Sequence, residues 1–244
     1  MTGTYSSSLW HELWQEVVAH SVPAAPPAPR SLWPVPLLVA LVVLVPSARR
    51  WGRALGTVVH EAAHAVVGML VGRRFHGFTV ARDLSGAAVT SGPQRGLGRV
   101  LTSWAGYPAP ALLGTALAVA ALRGWVGLVL AALCGGLLLL MTMSRSWRTA
   151  VLVGLCALLF LGLWWWGDAV LPLRAGVLAG VGVVLLLSAW DALLDVARSR
   201  DGGQDHRTLA RITVLPAWVW VGSWGLVCAA CTWVVLQAVL GTRP

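Results

Sequence analysis

Long apolar stretches alternate with short arginine-containing segments along most of this chain. From residue 33 onward, seven stretches are long enough, at about 1.5 Å per helical residue, to cross the ~30 Å hydrocarbon layer of a membrane. The pattern therefore predicts seven transmembrane helices, at about 33–47, 52–72, 98–121, 125–143, 148–166, 173–194 and 213–240.

The N-terminal residues follow a different pattern. Apolar residues of the segment 8–20 recur at helical spacing on one face, which predicts a short helix lying on the membrane surface. The sequence PAAPPAP, residues 23–29, then predicts a stiff linker that cannot continue a helix. We accordingly divide the chain into an interfacial helix and linker, 1–32, and a single transmembrane domain, 33–244.

The segment between the second and third predicted spans contains strand-forming residues. Residues 75–91 carry two such runs on either side of DLSG, residues 83–86, and this pattern predicts a β-hairpin. The expected fold class is an all-α polytopic membrane protein with about seven transmembrane helices and a small membrane-associated β-hairpin. In the third span, the prolines of GYPAP, residues 106–110, predict a kink. Tyr107 could either direct its hydroxyl to a polar cavity or be an aromatic residue at the membrane interface.

Composition agrees with a membrane protein and excludes an ordinary soluble domain. Of the 244 residues, 57% are hydrophobic and 11% are charged. The net charge is +9, and all 18 basic residues are arginines. Because these arginines flank apolar segments, membrane topology and lipid headgroups explain them better than nucleic acid does. The arginine bias and the abundance of alanine, glycine, valine and leucine suggest a bacterial protein, and hence the plasma membrane.

The distribution of arginine predicts an orientation. In the seven-span arrangement, twelve arginines fall on one side of the membrane and six on the other, so the positive-inside rule predicts a cytoplasmic N-terminus. In this arrangement Arg49 and Arg53 lie on the outer side. Asp191 lies near the inner end of the sixth span, on the opposite side from these arginines.

The second predicted span contains HEAAH, residues 60–64, an H-E-x-x-H motif. On a helix, His60 and His64 lie on one face, so both imidazoles can bind one metal ion. Glu61 beside them can take a proton from a water that the metal activates. Ionisable residues within an apolar membrane segment are costly and indicate function. The motif therefore predicts a site for Zn²⁺.

A catalytic zinc site needs three protein ligands, and later carboxylates could supply the third. Asp191 ranks first because it lies in an apolar helix, where an unpaired carboxylate is costly. Asp205 ranks second, as either a ligand or the N-cap of the last helix. Asp195 ranks third because it can pair with Arg198 or Arg200. The remaining, less favoured candidates are Asp168, Asp201, His76 and His206.

With these residues assembled, the chain resembles the site-2 protease family of intramembrane zinc metalloproteases, and more closely its peptidase M50B-like branch. The resemblance covers roughly residues 50–240 and rests on HEAAHAVVGMLVG, RRFHGFTVARDLSGAAVTS, AGYPAPALLG, SAWDALLD and QDHRTLARITVLPAWVW. It implies that His60 and His64 bind zinc, that Glu61 is the general base, and that an Asp in a later span completes the site. The family's usual Leu-Asp-Gly signature is absent: the candidates read Trp-Asp-Ala at Asp191 and Gln-Asp-His at Asp205.

The expected function is that of an intramembrane zinc endopeptidase with Zn²⁺ as its cofactor. Its expected partners are the lipid bilayer and a transmembrane or membrane-anchored protein substrate, which the hairpin could hold by strand addition. Two alternatives stay open. The missing signature favours a catalytically degenerate member that acts as a membrane scaffold or binder. A transporter or channel is less favoured, because the two halves of the chain show no repeat.

Overall fold

The apolar segments fold into helices, and a single pair of strands interrupts them. The computed structural model describes residues 3–80, 86–142, 144, 147–166, 173–199 and 201–241. In chain order, the elements are α1 Gly3–Ser21, a 3₁₀ helix Pro29–Leu32, α2 Pro34–Leu44, α3 Pro46–Leu70, β1 Arg74–Val80, β2 Gly86–Ser91, α4 Leu97–Ala105, α5 Ala109–Leu122, α6 Val126–Thr142, α7 Trp147–Trp166, α8 Arg174–Arg198, α9 Asp205–Ile212 and α10 Ala217–Leu240.

The predicted N-terminal helix is confirmed as a helix, α1, and its place on the membrane surface stays a prediction. Trp10 and Trp14 on this helix are exposed. The end of α1 is fixed to the rest of the protein, since the His20 ring stacks on Trp165 with 4.8 Å between centroids. The linker that follows is also tied down, because the Ala24 amide donates a hydrogen bond of 2.9 Å to the Gly124 carbonyl.

The seven-span count is not confirmed. Within the described residues, α8 and α10 are the helices long and apolar enough to cross a membrane. The count rises to four if each of two bent pairs forms one span: α2 with α3, bent by 104° and including the preceding 3₁₀ helix, and α4 with α5, bent by 59°. The apolar parts of α6 and α7 are shorter. Hydropathy identified the apolar segments correctly but could not show that they bend.

The first bend has a clear local cause. Pro46 lacks an amide hydrogen, and it forces the preceding Val45 into an extended conformation with φ −107° and ψ 111°. The helix therefore ends at Leu44, and α2 has only 11 residues, or ~16 Å of length. This is about half of a bilayer, so α2 cannot cross a membrane alone.

Two ion pairs join the beginning of α3 to the end of α8. Arg49 binds the Asp191 carboxylate through Nη2 at 3.0 Å, and Arg53 pairs with Asp195. The prediction that Arg49 and Arg53 lie on the opposite side of the membrane from Asp191 is therefore wrong, because the 104° bend between α2 and α3 places the beginning of α3 beside the end of α8. Asp195 likewise pairs with Arg53, whereas the sequence predicted Arg198 or Arg200, of which Arg200 lies outside the described residues.

Helix α8 is the central element, and it packs most extensively against α5. The two helices cross at glycines, where a Cβ added to Gly114 would collide with the Gly182 carbonyl oxygen, and one added to Gly182 would collide with the Gly114 carbonyl oxygen. This close approach lets the two backbones touch, as small residues do between membrane helices. Next to the crossing, α10 contributes Trp224, which is fully buried in a cluster that also contains Leu209.

The predicted β-hairpin is confirmed. Strands β1 and β2 pair antiparallel, with Arg74 opposite Ser91 and Val80 opposite Gly86. The turn predicted at residues 83–86 lies largely outside the described residues. The base of the hairpin is held by Arg73, which is buried and donates a hydrogen bond of 2.7 Å from Nη1 to the Pro93 carbonyl. The hairpin packs on the end of α3, where Thr90 meets Gly68.

Candidate metal centre

Three potential metal ligands converge where α3 meets the beginning of α9. His60 and His64 are one turn apart on α3, and their Nε2 atoms are 3.0 Å apart. Oδ2 of Asp205, the first residue of α9, lies 3.3 Å from Nε2 of His60 and 3.1 Å from Nε2 of His64. Among the described residues, this is the group of three His, Cys, Asp or Glu side chains whose geometry could hold a metal ion.

The donor atoms fit a zinc ion in type and in spacing. Zinc accepts imidazole nitrogen and carboxylate oxygen with bonds of about 2.0–2.2 Å, and tetrahedral geometry then separates two ligand atoms by about 3.3 Å. The observed separations of 3.0 to 3.3 Å are close to this value. Three atoms with lone pairs at such distances repel one another unless a cation or a proton lies between them.

Gly106, at the bend between α4 and α5, keeps the space beside these atoms open. A Cβ added to Gly106 would lie 2.5 Å from Nε2 of His64 and 2.7 Å from Nε2 of His60. No side chain larger than hydrogen fits there. The absence of a side chain leaves the two nitrogens accessible from this direction.

The orientation of His64 is fixed from behind. Its Nδ1 lies 2.6 Å from the carbonyl oxygen of Thr102 on α4. A carbonyl only accepts hydrogen bonds, so Nδ1 carries the hydrogen and the neutral ring has its lone pair on Nε2. Metal-binding histidines are held in this way by a partner of the second ring nitrogen. The ring therefore presents a lone pair toward His60 and Asp205.

Asp205 is held in the form that binds cations. Burial alone would raise the pKa of its carboxyl group, but hydrogen bonds and charge from His60 and His64 in their protonated forms outweigh burial and hold this pKa well below its usual range. A metal cation bound to the neutral rings would act on the carboxylate in the same direction. The carboxylate is therefore ionised at neutral pH. Asp205 also opens α9, so its position follows from where that helix begins.

The other predicted carboxylates lie elsewhere. Asp191, the first choice for a third ligand, accepts hydrogen bonds from Nε and Nη2 of Arg49 at 3.0 to 3.2 Å and is not brought together with the two histidines. Asp195 pairs with Arg53. Asp201 accepts a hydrogen bond from the Gly203 amide. The less favoured candidates are also placed apart from the group: His76 contacts Ser91, His206 is buried on α9, and Asp168 lies outside the described residues.

Glu61 follows His60 on α3 and is half-buried. Successive helical residues are rotated by about 100°, so its side chain leaves the helix beside the histidine face rather than on it. This position is suited to a base that acts next to the metal ligands and does not bind the metal itself.

The histidines belong to a polar stripe along α3 that includes Arg49, Arg53 and Thr57 at helical spacing. A cavity of about 160 Å³ follows this stripe, and it is lined by Arg53, Gly56, Thr57, His60, Tyr107, Pro110, Ser188 and Ala192. An apolar cavity of about 380 Å³ lies on the opposite face of α3, where Val58, Ala62 and Met69 line it. The face of α3 that carries the candidate metal ligands is thus the polar one.

Sequence reasoning gave no role in the site to Gly106 or Gln204, and left Tyr107 as a general possibility. The hydroxyl of Tyr107 donates a hydrogen bond of 2.8 Å to Oε1 of Gln204, the residue before Asp205. The signal that could have found these residues is the GYPAP break in the third apolar stretch. A break in a membrane helix often lines a site.

Comparison with known proteins agrees with this geometry. The family model described as Peptidase M50B-like matches residues 35–235, which includes the H-E-x-x-H helix, the broken α4–α5 pair and Asp205. Searches of curated proteins and of solved structures each returned no match. The family match and the apolar helices indicate a membrane metalloprotease. Because the match extends over most of the 244 residues, the chain belongs to the Peptidase M50B-like family.

Proposed function

We propose that this protein is an intramembrane zinc endopeptidase that cleaves a transmembrane or membrane-anchored protein. The observation that carries the proposal is the convergence of His60, His64 and Asp205, whose donor atoms lie within 3.3 Å of one another. These three residues would hold the zinc ion, with Asp205 in the role that the sequence assigned first to Asp191. Glu61 is the general base.

The metal ion and the protein's side chains would have separate roles in the reaction. Zinc bound by these residues would act as a Lewis acid and make a water molecule nucleophilic at neutral pH. Glu61 accepts the proton of that water and later donates it to the amine of the leaving peptide. The Thr102 carbonyl keeps the lone pair of His64 directed to the site, through the contact of 2.6 Å.

The polar cavity along α3 supports access of water to a site between apolar helices. Its volume of about 160 Å³ holds several water molecules, and it borders His60 directly. The hydroxyls of Thr57 and Ser188 already donate to backbone carbonyls, so their oxygens are left to accept hydrogen bonds from water. Hydrolysis inside a membrane requires such a protein-lined route.

The hairpin is suited to hold the substrate. It packs on α3 one turn beyond His64, through the contact between Thr90 and Gly68. In a sheet of two strands, each strand has one edge that is unpaired within the described residues. An extended peptide that adds to such an edge exposes its backbone, whereas a helical peptide keeps its backbone groups paired. We infer that the substrate unwinds beside the hairpin before it is cleaved.

The proposal is tested by incubating wild-type protein and Glu61→Gln with a panel of single-span peptides in proteoliposomes, with new termini detected by mass spectrometry. Wild type should cut at least one peptide within its membrane segment, and Glu61→Gln should bind zinc but cut none. A Glu61→Gln protein as active as wild type would contradict the assigned mechanism. A wild-type protein that binds zinc and cleaves none of the panel would favour the scaffold alternative.

A further inference from the structure

Tyr107 contacts both His60 and Gln204, the residue that precedes Asp205. Its ring stands edge-on to the His60 ring, with centroids 4.7 Å apart and an interplanar angle of 88°. Its hydroxyl donates to Oε1 of Gln204 at 2.8 Å. His60 comes from α3, and Gln204 immediately precedes Asp205, so Tyr107 connects ligands that are far apart in the sequence.

The Tyr107 ring is itself immobilised on the side away from His60. It stacks on Trp224 with a centroid distance of 4.3 Å and an angle of 24°. Trp224 is fully buried, and its Nε1 donates a hydrogen bond of 3.0 Å to the Trp104 carbonyl on α4. The position of the Tyr107 hydroxyl is therefore determined by α4 and α10 together.

Because Gln204 precedes Asp205 directly, a contact that fixes Gln204 also constrains where Asp205 lies. Gln204 is the N-cap residue of α9, in an extended conformation with φ −65° and ψ 151°. Its carbonyl accepts hydrogen bonds from the amides of Arg207 and Thr208 at 3.1 and 3.0 Å, which fixes where α9 begins. A restraint on the Gln204 side chain thus also restrains the next residue, whose carboxylate faces the histidines.

We propose that Tyr107 is a positioning residue, which uses its hydroxyl bond to Gln204 to set the Asp205 carboxylate against His60 and His64. The inference rests on the proposed zinc site. Residues of this kind, which hold a ligand from behind, typically change metal affinity by roughly 10–100-fold when removed. Tyr107 does not contact the metal in this account, and its ring packing is separate from the hydroxyl that acts.

The experiment measures Zn²⁺ affinity of the full-length protein in detergent, by competition with a chelator. It compares wild type with Tyr107→Phe, Gln204→Met and the double variant. Each single change should weaken binding by roughly 10-fold or more. The double variant should be no weaker than the weaker single variant, because both changes break the same hydrogen bond. The visible absorption spectrum of Co²⁺-loaded protein should change in all three variants.

Ser223→Ala is the matched control, because it removes a comparable hydrogen bond between α4 and α10, from Nε1 of Trp104 to Oγ of Ser223 at 2.9 Å. Its Zn²⁺ affinity and Co²⁺ spectrum should equal those of wild type. Wild-type affinity in Tyr107→Phe, or additive losses in the double variant, would overturn the inference. A wild type that binds no zinc would instead refute the proposed function, so the two failures are distinguishable.

Discussion

Gly106→Ala is the substitution that tests the open space at the metal centre most sharply. The added methyl carbon would lie 2.5 Å from Nε2 of His64, and 2.6 and 2.7 Å from Cε1 and Nε2 of His60. Ordinary van der Waals contact begins at 3.4 Å, so the methyl group would be too close by 0.7 to 0.9 Å. The neighbours are ring atoms of two histidines, and Thr102 holds the His64 ring in place.

The backbone itself accepts alanine. Gly106 has φ −60° and ψ −57°, which are helical values that any residue adopts. Replacing glycine by alanine in a helix stabilises it by up to about 1 kcal/mol, whereas overpacking a tight site costs about 1–3 kcal/mol. The free energy of unfolding should therefore fall by at most about 3 kcal/mol. The affinity for Zn²⁺ should be affected more than the stability of the fold, since the methyl group occupies the space beside both nitrogens.

We expect Gly106→Ala to weaken Zn²⁺ binding by at least ~100-fold, which corresponds to about 2.7 kcal/mol. The assay is chelator competition together with thermal unfolding of the same preparation. Gly135→Ala on α6 is the matched control, because an added Cβ there meets no atom within 4 Å. Wild-type zinc affinity in a folded Gly106→Ala protein would refute the reasoning about this site.

Three further predictions concern other parts of the structure. Asp191→Asn should retain zinc and lower the free energy of unfolding by no more than ~1 kcal/mol, since it breaks a partly exposed ion pair with Arg49; loss of zinc in elemental analysis would return Asp191 to the ligand set. In a cysteine-free background, Thr57→Cys should react with a charged thiol reagent and Ala62→Cys should not, because they line the polar and the apolar cavity respectively; equal labelling rates would argue against a water route along α3. Gly114→Ala should lower the free energy of unfolding by at least ~1–3 kcal/mol, measured by thermal unfolding, because its methyl group would meet the backbone of α8; an unchanged melting temperature would show that this crossing is not tight.

The sequence predicted the parts of this structure that depend on local pattern. The H-E-x-x-H motif lies on a helix, the hairpin follows it, and the predicted N-terminal helix forms. Apolar content also located the apolar helices, although the predicted count of seven spans is not confirmed. It could not show that Pro46 would bend the first segment back, because a proline inside an apolar stretch is compatible with both a kinked span and a broken one.

The sequence could not decide between the two leading candidates for a third ligand, Asp191 and Asp205, for a related cause. Asp191 ranked first because a lone carboxylate in an apolar helix is costly, but its partner Arg49 is 142 residues away in the sequence. Because the predicted topology placed Arg49 and Asp191 on opposite sides of the membrane, their ion pair could not be predicted. Asp205, by contrast, is the first residue of a short amphipathic helix, and its sequence context was compatible with either an N-cap or a ligand. Only the packing of α9 against α4 and α10 brings it to the histidines.

The zinc content of the purified protein, measured by elemental analysis, directly tests whether Asp205 completes a zinc site with His60 and His64. The measurement compares wild type with Asp205→Ala and Asp191→Ala. We expect about one zinc per chain in wild type and in Asp191→Ala, and loss of zinc in Asp205→Ala. Stoichiometric zinc in Asp205→Ala, or its loss only in Asp191→Ala, would contradict the proposed metal centre.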